Sequence, residues 1–508
     1  MSLVARLLSA IDDRLNPIVV KEVRQAVHGR FLAGLLLFFL VFQLATLGLF
    51  LLMNGISTID LVGGTSYGEE VFGILAGILF FATVFCIPVY AAVRIYAERS
   101  GENLALYFIS TLSPRRIVAG KLASNLVLTL LLFSACLPYL SFTYFLRGID
   151  LPTVGVALAA GLSVSALGIQ SAIFLASLEV TRLLRVLVGL VGLGWLMALF
   201  SIVLSFAIAL PQQGVGSRLG SWQLWGPMAL VLTAGGLFFG LLFVLSVAVF
   251  THGAANRARP VRIYAFGAWL AATLGTAYAC FVHDQKDVVQ VWLFLAFVGF
   301  GLSFLPAICA RDRSSLRVAG EVPRAPLRRL AAFFTFSGSA NGVAFSVLMI
   351  ALTAAAAEIF DRRLLGGLEE TPAQFLGFSA YCFSYALLAL AVQRGGISRR
   401  IGRRHTWVVA LVLAAFLSLA PPIAGLLVAP DAIAQSLDFG WWMVANPFSP
   451  FQHRFGDVAI RFALAWAAVM ALGAGPWFLR QVRAFRPPAS AAAEIPAVVP
   501  LREPQAEG

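Results

Sequence analysis

The chain has 508 residues, 60% of them hydrophobic and only 12% charged, with a mean hydropathy of +0.88 and a formal net charge of +13. A water-soluble fold of this length cannot hide so large an apolar fraction, which excludes a soluble globular protein and predicts an all-α, polytopic membrane helical bundle. The positive charge invites a nucleic-acid partner, but the basic residues are spread over many short links instead of one dense tract, and anionic headgroups of membrane lipids account for them.

Residues 1–30 mix apolar residues at helical spacing with charges, and Asn16-Pro17 suits the start of a fresh helix because proline fits the first turn. An amphipathic helix along the inner membrane surface is expected there. A hydrocarbon core about 30 Å thick needs roughly 20 apolar residues per helical crossing. About twelve such runs follow, at 31–53, 71–93, 122–146, 153–178, 186–210, 224–250, 263–282, 288–310, 333–357, 373–393, 406–430 and 459–479. They divide into a first membrane half, 31–250, interrupted by a charged link at 94–121, and a second membrane half, 251–479. The tail 480–508, with its RPPASAAAEIPAVVP run, has no periodic apolar face and is expected to be disordered. The first apolar run begins after 30 residues and ends in LLMNGIS without a small-x-small pattern, so no cleavable leader is expected.

Basic residues set the orientation, because short cytoplasmic loops retain Lys and Arg. With the N-terminus inside, 30 of the 37 Lys and Arg fall on the cytoplasmic side, and the others are Arg147, Arg218, Lys286, Arg362, Arg363, Arg454 and Arg461. Twelve crossings then place both termini in the cytoplasm. The glycine pairs of GILAG at 73–77 and GLFFG at 236–240 predict close helix packing. Pro88, Pro138, Pro306 and Pro421-Pro422 predict kinks. The aromatic outer segment 441–457, WWMVANPFSPFQHRFGD, suits the headgroup zone and a re-entrant or interfacial course. The five cysteines, Cys86, Cys136, Cys280, Cys309 and Cys382, sit singly in apolar spans and are expected to be reduced packing residues.

Several chemistries find no support in the residues. A carrier driven by protons or sodium needs ionisable groups inside the membrane, and here Glu358 and Arg461 lie only at span ends. A phosphate-binding GxxxxGK[ST] loop is missing: Lys121 follows Gly120 but precedes Leu122, and Lys21 and Lys286 have no glycine before them. The five histidines show no ligand spacing, so neither a metal nor another cofactor is expected. Gly64-Thr65-Ser66-Tyr67-Gly68 matches GxSxG but occupies an outer loop, not the strand-to-helix turn that activates a serine. The chain is therefore not expected to be an enzyme, and any ATP-driven action needs a partner.

Two stretches, NPIVVKEVRQAVHGRF at 16–31 and AERSGENLALYFISTLSPRRIVAGKL at 97–122, together resemble the permease subunits of ATP-binding-cassette (ABC) transporters of the type-2, exporter-like class. In that family an interfacial helix precedes the first span. The link between spans two and three carries an acidic-basic pair, a leucine-rich turn, a Ser-Pro-Arg step and a Gly-Lys, matched here by Glu98-Arg99, Leu104 to Leu112, Ser113-Pro114-Arg115 and Gly120-Lys121. The resemblance implies that the link is a coupling helix that docks into a separate cytoplasmic P-loop ATPase. Glu98, Arg99 and Glu102 then make polar contacts, Leu104, Leu106 and Phe108 supply packing, and Ser113-Pro114, followed by Arg115, redirects the chain into the third span.

The chain departs from that pattern in length, since such subunits often have about six spans and no second coupling motif is evident here. If the second half is a diverged fused permease, one chain pairs with two ATPase subunits; if not, the chain forms a homodimer or pairs with a second permease. The expected setting is the bacterial inner membrane and the expected role is export of an unspecified substrate. A non-transporting scaffold that anchors an ATPase for cell-envelope or motility work is the rival reading.

Overall fold

The computed structural model describes residues 17–58, 67–99, 113–146, 148–178, 180–218, 220–283, 286–312, 315–364, 368, 370–395, 402, 405–428, 443–452 and 455–487. These are 88% helical, with no strand among them, and twelve of the helices are long and apolar enough to cross a membrane. The molecule is a multi-pass helical bundle. It divides into two compact units, Met1–His252 and Gly253–Gly508. The tail 488–508 and the GxSxG serine, Ser66, lie outside the described residues.

Unit 1 opens with helix α1 (Pro17–Val27) and the first span, α2 (Arg30–Thr58). The second span is built from α3 (Tyr67–Phe80), a π-helical segment Phe81–Cys86 and α4 (Ile87–Arg99). Proline explains the widened turn. Pro88 has no N–H and its ring crowds the carbonyl four residues earlier, at Val84, and a π segment relieves both problems. Then come α5 (Pro114–Phe145), α6 (Leu151–Ser177), α7 (Arg182–Ala209), the short α8 (Val215–Arg218) and α9 (Trp222–Phe250).

The centre of unit 1 is where α6 crosses the irregular second span. A Cβ at Gly161 would stand 2.1 Å from the Phe80 ring, and one at Gly168 would meet the Pro88 ring at 3.3 Å and the Val84 carbonyl at 3.4 Å. Phe72, Leu79, Phe80, Leu132, Ile169 and Ile173 fill the buried core around this crossing. Gly73 and Gly77 bring α3 against α7, with their Cβ positions 3.5 Å from Ile208 and 3.3 Å from Leu204, whereas Gly236 of the other glycine pair faces open space within 4 Å. Polar side chains bridge the spans: Gln170 Nε2 donates to Ser246 Oγ at 3.0 Å and Trp195 Nε1 to Ser171 Oγ at 3.1 Å, the kind of contact that holds helices together in lipid.

Unit 2 contains α10 (Ala258–His283), a bent crossing made of α11 (Lys286–Leu302) and α12 (Phe304–Cys309), two short helices, α13 (Leu316–Gly320) and α14 (Pro326–Thr335), and the spans α15 (Ser339–Arg363), α16 (Thr371–Arg394), α17 (Thr406–Val428) and α18 (Gly456–Ala484). The bend at Ser303 comes just ahead of Pro306, as the missing proline N–H requires.

The structure moves several span boundaries: the third span, expected from 122, starts at Pro114, and the last, expected to end at 479, runs on to Ala484, so 480–484 of the expected tail 480–508 are helical. The apolar run expected to cross at 333–357 is broken after Phe336, because Gly338 adopts φ 153° and the span starts only at Ser339. Phe333 belongs instead to α14, a helix that the unbroken apolar run concealed. Farther on, the described part of the aromatic outer segment runs down alongside α16. Tyr381 donates its hydroxyl to the Val444 carbonyl, and Tyr385 donates to Ala445 at 2.6 Å. Those tyrosines lie about 15 and 21 Å along α16 from Thr371, at 1.5 Å per residue. Irregular backbone at such depth is tolerated where protein groups satisfy it.

Candidate coupling site at the basic end of unit 1

α1 forms because ProIleValValLysGluValArgGlnAlaVal places Ile18, Val19, Val23, Ala26 and Val27 on one side and Lys21, Arg24 and Gln25 on the other. Glu22 breaks the pattern. It falls between Ile18 and Ala26 on the apolar side, and it is 8% exposed. A carboxylate in that position needs a buried partner, since an isolated buried charge costs several kcal/mol or more.

The partner is Lys121 of α5, itself 2% exposed. Its ammonium lies 2.9 Å from Glu22 Oε1 and 2.6 Å from Glu98 Oε2, at the end of α4. Ser124 donates to the second oxygen of Glu22 at 2.7 Å, and Asn125 Nδ2 donates to the Lys121 carbonyl at 2.7 Å. Arg94 donates from Nη2 to Gln25 Oε1 of α1 at 2.7 Å and from Nη1 to the Tyr90 hydroxyl at 3.1 Å. Arg185, at the start of α7, covers the Tyr96 ring at 4.7 Å. Three cations and two carboxylates thus tie together a surface helix and the ends of three spans. Between them is a cavity, bordered by Glu22, Tyr90, Arg94, Lys121, Ser124 and Asn125, with about 10 Å³ open to the centre of a water molecule, about what one water needs.

The geometry redistributes the residues singled out in the sequence. Glu98 is held internally, by Lys121, and its side chain is 28% exposed. Pro114 occupies the first turn of α5, after Ser113 in an extended conformation (φ −69°, ψ 144°), so these two residues do begin a new helix. Ser113 and Arg115 are exposed. The Arg99 side chain and all of Glu102, Leu104, Leu106 and Phe108 lie outside the described residues. Lys121, which the sequence places at the entry of the third span, stands seven residues inside α5, because the helix starts at Pro114. Glu22 and Ser124 are the members that motif reading passes over, and Lys121 enters it only as half of the Gly-Lys step, although the misplaced charge on the apolar side of α1 announces a buried partner.

The arrangement ties separate elements together, and among the described residues no three His, Cys, Asp or Glu gather as metal ligands do. Its capacity is mechanical: α4 and α5, which flank the link 100–112, are clasped to each other and to α1. No family model, no curated protein and no solved structure matches the chain.

Proposed function

We propose that this chain is the membrane-spanning permease subunit of an ABC transporter of the exporter-like class, set in the bacterial inner membrane and driven by a separate cytoplasmic ATPase. The observation that supports this reading best is the clasp of Glu22, Glu98 and Lys121. A link that passes force from a soluble ATPase to the membrane spans must be joined stiffly to those spans, or its motion is lost in the joints. Here the last turn of α4 and the second turn of α5 are locked by a buried ion pair network, and the surface helix is locked to both. Helices packed in this way move as bodies and have discrete alternatives, not a continuum. The apolar middle of the link, Leu104, Leu106 and Phe108, with Glu102 beside it, then offers a helix-in-groove contact to the ATPase.

Because Glu98 serves the clasp, replacing it disturbs the joint as well as any docking contact. The test therefore targets the link: affinity purification of the full chain from its host in mild detergent, beside a Leu104→Asp/Leu106→Asp/Phe108→Asp variant. The expected result is recovery of a P-loop ATPase with the natural chain and its loss from the variant, with yield and monodispersity unchanged. Recovery of no ATPase with either chain, nucleotide present, would overturn the proposal. Nucleotide-dependent movement of substrate in vesicles carrying both proteins separates a permease from a scaffold that merely anchors the ATPase.

A further inference from the structure

We propose that α14 of unit 2 is a docking surface for anionic phospholipids of the cytoplasmic leaflet, with its arginines on the headgroup phosphates and its leucines among the upper acyl carbons. The inference rests on the membrane reading of the chain alone and stands apart from the permease proposal.

Position comes first. The Arg262 guanidinium, in the second turn of α10, donates to the carbonyls of Phe334 at 3.2 Å and Phe336 at 2.6 Å, just where α14 ends. Asn341 Nδ2, in the first turn of α15, donates to the Phe333 carbonyl at 2.8 Å. The Phe333 ring meets Phe485, next to the last residue of α18, at 5.5 Å. The helix is therefore fixed beside the start of two spans and the end of a third, on the arginine-rich side that the positive-inside rule assigns to the cytoplasm.

Its free side has the wrong character for water. Leu327, Leu330, Ala331 and Phe334 share one face at i, i+3, i+4 and i+7 spacing, and Leu327 is 81% and Leu330 59% exposed. Arg328 borders that face, Arg329 stands on the other side of the helix between Ala332 and Phe333 and is half-buried, and the exposed Arg324 precedes the helix by two residues. None of these three arginines has an ion-pair partner among the described residues, and Asp312, in the link before α13, is engaged by Arg394 at 3.3 Å. An apolar strip bordered by unpaired cations, at the end of membrane spans, is complementary to an anionic leaflet: the strip enters the acyl boundary and the guanidiniums take phosphate oxygens in paired hydrogen bonds.

The test uses the full chain in nanodiscs of phosphatidylcholine with or without phosphatidylglycerol, and follows amide hydrogen exchange of peptides that cover 322–336. Exchange is expected to slow by about threefold or more when the anionic lipid is present, and the difference to vanish in Arg324→Ser/Arg328→Ser/Arg329→Ser. Native mass spectrometry should show the preference for retained phosphatidylglycerol over phosphatidylcholine falling by about tenfold in that variant. If the variant fails to assemble, the natural chain still decides the matter, because protection by headgroup charge must weaken as salt rises. Equal exchange in both bilayers, or protection insensitive to salt and to loss of the arginines, overturns the proposal. Protection that arises only with an added ATPase, or only as protein concentration increases, also overturns it and transfers the surface to that protein or to a second copy of the chain.

Discussion

The two surface helices invite comparison, because α1 and α14 each precede a span at a basic end of their unit and yet are fastened by opposite means. α1 is held through side-chain charge: one buried ammonium serves two carboxylates from different elements. α14 is held through its backbone, with Arg262 and Asn341 on its carbonyls and Phe485 against its ring. An ionic joint ties several elements at one point and fails as a whole when one member is removed, since the others are left buried and uncompensated. A joint made of separate backbone contacts loses them one at a time. The cooperative joint is the one beside the proposed coupling link.

The sharpest way to break this contrast is Lys121→Met. The substitution keeps the bulk of the side chain but leaves Glu22 and Glu98 facing each other without their cation, and it is expected to destabilise unit 1 by about 3–5 kcal/mol. Unfolding in mixed micelles against rising SDS would measure it, and Lys121→Met/Glu22→Leu should recover a substantial part by removing one stranded charge. The exposed pair of Arg362 and Glu358, 2.9 Å apart, provides the internal standard; Glu358→Gln there should cost no more than about 0.5 kcal/mol. A Lys121→Met cost as small as that would show that the clasp is no joint.

Glycines at the helix crossings sharpen the comparison within the membrane. A Cβ at Gly342, in α15 of unit 2, would come within 2.6 Å of Ala307 Cβ and 3.1 Å of its Cα, and neither atom can turn aside. The tighter overlap at Gly161 in unit 1 is with the Phe80 ring, which can rotate. Gly342→Ala is therefore expected to cost about 2–3 kcal/mol and Gly161→Ala about 1–2 kcal/mol, the usual range for overpacking. The reverse order in the same SDS titration would mean that the core around Phe80 is the more rigid of the two.

Much of this architecture is legible in the chain, and the gaps have physical causes. Each span contains an apolar stretch long enough to cross a membrane, and lipid leaves few alternatives to a helix for such a stretch. Boundaries are less legible, because hydropathy does not register a turn. Phe333 to Phe336 looks like the beginning of a crossing, and the positive φ of Gly338 separates α14 from α15. The opposite error affects Lys121: a lysine next to a link reads as part of the link, although Pro114 starts the helix seven residues earlier. The clasp also joins residues about a hundred positions apart, Glu22 and Lys121, and pairing over such a distance leaves no local trace except the carboxylate stranded between Ile18 and Ala26.

The mildest test concerns one contact of the second joint. Asn341→Ala removes the donor to the Phe333 carbonyl but leaves Arg262 on Phe334 and Phe336 and the aromatic contact with Phe485 intact. A single neutral hydrogen bond contributes about 0.5–1.5 kcal/mol, so unit 2 should lose about 1 kcal/mol and α14 should keep its place. Hydrogen exchange at 326–335 would then rise only slightly, by local opening and not by release of the whole helix. Exchange of every amide in α14 at the rate of an unstructured peptide would instead reveal that its attachment, like that of α1, depends on all its contacts at once, and the distinction between the two joints would disappear.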